Sequence, residues 1–108
     1  MAQEHIPSGQ IASVRPLGAD LGTARTTALF KSEQLEVVRI VLLAGSELRD
    51  HSAPGEITVQ CLEGCIEFST PNGLHTMTAG DFIHLRRNEP HALKARIDSS
   101  ALLTLCVA

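Results

Sequence analysis

Imidazoles are the side chains here with the widest chemical reach. The chain has five of them, His5, His51, His75, His84 and His91. Near neutral pH an imidazole acts as a general base, and its neutral form is a common ligand for divalent metals. Two of the five stand in marked surroundings. His51 follows Gly45 after five residues and precedes a Pro54-Gly55 turn, and His91 follows Pro90 in the stretch GDFIHLRRNEPHALKA. Oxygen donors nearby are Glu56 and Gln60. No Ser, His and Asp order stands out, no glycine-rich phosphate loop is present, and the absence of Tyr removes a common acid partner for a histidine base.

These residues must be carried by strands. LEVVRIVLL at 35–43 is rich in β-branched residues and short for a helix. ITVQCL, CIEFST, LHTMT, FIHLR, HALKARI and ALLTLCV follow, with turn residues between them. TTALFK at 26–31 and Ile11 to Val14 are further predicted strands, and 45–55 is predicted as a loop. Glu63-Gly64 is predicted to turn ITVQCL back as a hairpin into CIEFST. Asn72-Gly73 suits a type I′ hairpin turn. About eight to ten short strands, with no convincing helical period, predict an all-β sandwich or barrel.

Length and composition narrow the function. A chain of 108 residues with 44% hydrophobic and 19% charged residues is one small globular domain. Residues 1–10 are expected to be a flexible lead-in and 11–108 the folded domain. A formal net charge of -3 and only 3% aromatic residues argue against nucleic acid as a partner. No stretch approaches the run of about 18 apolar residues that a membrane span needs, and no targeting segment is visible, so the expected location is cytoplasmic. Cys61, Cys65 and Cys106 are then expected to be thiols, with Cys61 and Cys65 facing opposite ways.

The two stretches 45–64 and 80–95 together resemble the paired motifs of the cupin superfamily. Metal-binding cupins show G-x5-H-x-H-x3–4-E-x6-G and then G-x5-P-x-G-x2-H-x3-N. Gly45 and Gly64 fit the first motif's glycines, and His51 its first histidine. Ala53 stands where the second histidine would be, and Ile57 where the glutamate would be. Gly80 opens the second motif and His91 is its histidine, while Arg86, Asn88 and Ala95 replace the Pro, Gly and Asn. The resemblance covers roughly residues 35–105. It implies a cupin-type jelly-roll β-barrel, a subgroup of small single-domain members with a degenerate metal motif, and a homodimer without an obligatory metal.

The expectation is therefore a small molecule bound in the barrel cavity, with His51 and His91 as polar fixtures. Ile57, Val59, Gln60 and His84 complete the candidate lining. Gln60 alternates with Ile57 and Val59, so it is a surface or dimer residue if that apolar set faces the cavity. No cofactor is expected. The alternative is a divalent-metal cupin enzyme, a dioxygenase or isomerase, using His51, His91 and one of His84, Gln60 or Glu56. Binding ranks ahead of catalysis. Two imidazoles fall short of the three protein ligands usual in a catalytic site, and Glu56 is one residue out of register, which on a strand reverses the face.

Overall fold

The computed structural model describes residues 5–107, with Asp50 and His51 described by their backbone alone. Among the described residues, nine strands follow a short 3-10 helix, Gly18–Thr23. They are β1 (Thr27–Lys31), β2 (Leu35–Leu42), β3 (Glu47–His51), β4 (Ile57–Glu63), β5 (Cys65–Thr70), β6 (Gly73–Thr78), β7 (Phe82–Leu85), β8 (His91–Ala95) and β9 (Ser99–Cys106). One sheet has the order β1-β2-β9-β4-β7 and the other β3-β8-β5-β6, and pairing in both is antiparallel. This is the two-sheet arrangement of a jelly roll.

Alternation along the strands builds the core between the sheets. Ile57, Val59 and Cys61 of β4 are buried, as are Ile66 and Phe68 of β5 and Leu93 and Ala95 of β8. Successive side chains on a strand point to opposite faces, so Thr58 and Gln60 lie on the outer side of the five-stranded sheet. Burial pushes the Cys61 thiol up, which keeps it protonated and unreactive. Cys61 and Cys65 are free thiols.

Four sequence expectations change. The Glu63-Gly64 turn does not fold β4 back on β5. It carries the chain from one sheet to the other, and each strand finds its partners elsewhere. Gly64 has φ +91°, and a Cβ there would collide with the Ser99 hydroxyl and the Asp98 carbonyl. The second change is β3, which occupies the predicted loop. Its sequence ELRDH is charged because it is an edge strand, paired only with β8, and edge strands use charge to deter further pairing.

The third concerns the β5–β6 hairpin, which forms at Pro71-Asn72 with Thr70 opposite Gly73. Pro71 fixes φ near -65°, which a type I′ turn excludes at its first central position. The positive φ, +125°, falls on Gly73 instead. Finally, residues 11–14 form no strand, and Ile11 is 98% exposed. This segment leads into a strap held against the five-stranded sheet by polar contacts.

Those contacts centre on Glu63. Its carboxylate accepts hydrogen bonds from Leu17 N–H (3.0 Å), Gly18 N–H (3.1 Å) and the Ser100 hydroxyl (2.5 Å), and pairs with Arg39 Nη2 at 3.4 Å. Arg39 also donates to the Arg15 carbonyl. Burial alone would raise the Glu63 carboxyl, but these hydrogen bonds and the Arg39 charge outweigh it and hold it below the usual range. Among the described residues no helix is long and apolar enough to cross a membrane.

Candidate functional site

His91 opens β8 and stands two residues before the buried Leu93, so it faces the space between the sheets. It is 4% exposed. Its ring stacks on Phe68, with centroids 5.7 Å apart and planes 13° from parallel. Nδ1 lies 3.1 Å from the Glu89 carbonyl. A carbonyl only accepts, so Nδ1 carries the proton and the lone pair of the neutral ring sits on Nε2. The Phe68 stack and the Glu89 bond together fix ring position and tautomer.

The loop before His91 is tied down at several points. Glu89 Oε1 accepts from Arg86 N–H (3.2 Å), and Asn88, at φ +61°, donates its N–H to the Ala53 carbonyl (2.7 Å). Ala53 lies between β3 and β4, so both motif stretches meet here. At the other end Gly45 N–H donates to the Ala95 carbonyl (2.9 Å), and Gly80 N–H to the Cys61 carbonyl (2.8 Å). The backbone register places His51 directly opposite His91. The His51 side chain lies outside the described residues.

The remaining candidates divide by face. Ile57 and Val59 are core residues, 3% and 2% exposed. Ala53 packs against the same core. The positions that would carry a second histidine and a glutamate therefore contribute a methyl and a butyl group. Gln60 pairs with Phe82 and Leu102 on the outer face, and His84 pairs with Thr58 there. Glu56 is exposed and meets His84 Nε2 at 2.7 Å, away from His91. Thus His91 is not joined by Gln60, His84 or Glu56, and among the described residues no three His, Cys, Asp or Glu side chains form a metal-binding group. Of the complete motif's donors, His91 is the one whose side chain is described here.

Ligand sites are clefts of about 300–1,000 Å³. One of about 540 Å³ opens beside β6 and β7, edge strands of different sheets, and is lined by Thr70, Asn72, His75, Ile83, His84, Leu85, Arg86 and Glu89. Glu89 links it to His91 through the Nδ1 bond. His75 is an exposed residue that lines this cleft and is not among the candidate site residues read from the sequence. The signal for it is periodicity: His75 lies two residues before the buried Met77 and pairs with Phe68, so it shares their face.

Several solved structures share this arrangement. An RmlC-like cupin from Desulfovibrio desulfuricans is 26% identical, with TM-score 0.73, over 90% of this chain and 97% of that one. The chain has the fold of the small, single-domain RmlC-like cupins. An RmlC-like cupin from Shewanella frigidimarina is 20% identical with TM-score 0.75, over 98% of this chain and 93% of that one. A conserved protein of unknown function from Streptococcus pyogenes is 24% identical with TM-score 0.73, over 98% and 96%. No family model matches the chain, and no curated protein matches it.

Proposed function

We propose that this cupin binds a small molecule without an obligatory metal, with His91 and His51 as polar fixtures of the site. The observation that carries the reading is the join between the cleft and the buried histidine. Glu89 lines a 540 Å³ opening and holds the His91 ring in one tautomer. The mixed lining supports the same reading: Ile83 and Leu85 offer apolar surface, while Asn72, His75 and Arg86 orient polar groups. A cytoplasmic setting suits the buried Cys61 thiol.

The test is a panel of small polar organic molecules, followed by the imidazole NMR signals of His91 and His75 with and without a chelator. Saturable shifts that survive chelation and disappear in His91→Ala support the proposal. Shifts that vanish with the chelator contradict it.

We also propose a homodimer through the outer face of the five-stranded sheet. β2 and β9 are inner strands of that sheet, so a partner could cover their outer face and not their edges. The support is the row Leu102, Gln60 and Phe82, which ends in a Phe82 ring that is 62% exposed. Sedimentation as an 11.6 kDa species at micromolar concentration would contradict this assembly.

A further inference from the structure

The N-terminal strap closes a second pocket, on the opposite side of the five-stranded sheet from the core. It measures about 270 Å³, and Arg39, Arg25, Ser13 and Thr27 supply its polar lining, with Leu17 and Leu29 as apolar walls. We propose that this pocket binds a small oxyanion, a phosphate or carboxylate group, between the two arginines.

Arg39 carries the argument. Its side chain is only 9% exposed, and its Nε–H has no hydrogen-bond partner among the described residues. Nearly all buried donors in folded proteins have an acceptor, and a charged one is the costliest to leave without. Nη2, which shares an edge of the guanidinium with Nε, already serves the Arg15 carbonyl, Glu63 and Ser100, so Nε–H is the donor left over on that edge. Glu63 is the one ion-pair partner of Arg39 among the described residues, at a long 3.4 Å. Its oxygens already accept from Leu17, Gly18 and Ser100.

Charge around the pocket is therefore unbalanced. Arg25 and Arg39 both line the pocket, no carboxylate is among its described lining residues, and Arg25 makes no ion pair among the described residues. A water molecule would satisfy Nε–H but leave the charge. An oxyanion does both, with one oxygen accepting a charge-assisted hydrogen bond from Nε–H. Ser13 adds a donor: its oxygen accepts from Arg15 N–H at 3.3 Å, which leaves its O–H to point elsewhere. At about 270 Å³ the space lies below the range of drug-sized ligands, so the occupant is a small anion or the anionic end of a small molecule.

Inorganic phosphate is the probe, titrated calorimetrically into the full chain at constant ionic strength against chloride, with acetate in parallel. The expected result is saturable one-to-one binding that weakens about tenfold or more in Arg25→Ala, because charge-assisted bonds of this kind are lost. Arg25 is exposed, so its replacement leaves the fold intact even if Arg39→Lys does not. Preference for phosphate or for acetate identifies which oxyanion the site takes. Heats no larger than the chloride blank overturn the proposal, as does phosphate binding unchanged in Arg25→Ala. A crystal grown in phosphate with water alone on Arg39 Nε also overturns it.

Discussion

His91 stacks face to face on Phe68, at 5.7 Å between ring centroids, where β8 runs beside β5. Phe68 is wholly buried, so the histidine rests on the centre of the core. Ring pairs of this type are worth about 0.5–1.5 kcal/mol beyond area burial. A double-mutant cycle with Phe68→Leu and His91→Ala is expected to give a coupling of that size in urea denaturation. Additive effects would mean that the stack contributes nothing.

Glu63 ties the strap to the sheet, and its effect on stability has a definite sign. Its folded carboxyl sits below the ordinary 4.5, so the stabilisation is fully present above about that pH. It is lost as pH falls through the lower folded value. Glu63→Gln is expected to cost about 1.5–3 kcal/mol near neutral pH, the worth of hydrogen bonds to a charged group. It should also flatten the decline of stability below pH 4.5. Thermal melts of both proteins from neutral pH into acid check this, and parallel curves would contradict it.

Two glycines with positive φ separate backbone strain from crowding. Gly73 (φ +125°) has nothing within 4 Å of a built Cβ, whereas Gly64 (φ +91°) has Ser99 and Asp98 against it. Gly73→Ala is expected to cost about 1–3 kcal/mol from conformation alone. Gly64→Ala adds an overpacking term of about 1–3 kcal/mol. Denaturation midpoints in the reverse order would contradict the crowding at Gly64.

The sequence made β2 and β4 legible because LEVVRIVL and ITVQCLE bury one side and are rich in β-branched residues. β3 was hidden, since the charges that keep an edge strand from pairing are the same ones that make it look like a loop. Glu63-Gly64 announced a turn, but a turn signal does not say which sheet the next strand joins. At the site, the motif spacing placed His91 inside, and the strand period already put Gln60 opposite Ile57. Glu63 was illegible because its partners Leu17 and Gly18 are 46 and 45 residues away in sequence. Such a network exists only after the strap has folded over the sheet.

The central claim, ligand binding without an obligatory metal, is tested most directly by metal content. Untagged protein purified without chelators, and again after incubation with divalent ions, is measured beside a His51→Ala/His91→Ala double mutant. The account predicts metal well below one per protomer in the wild type and no difference from the mutant. Near-stoichiometric iron, manganese, zinc or nickel that the double mutant loses would contradict it.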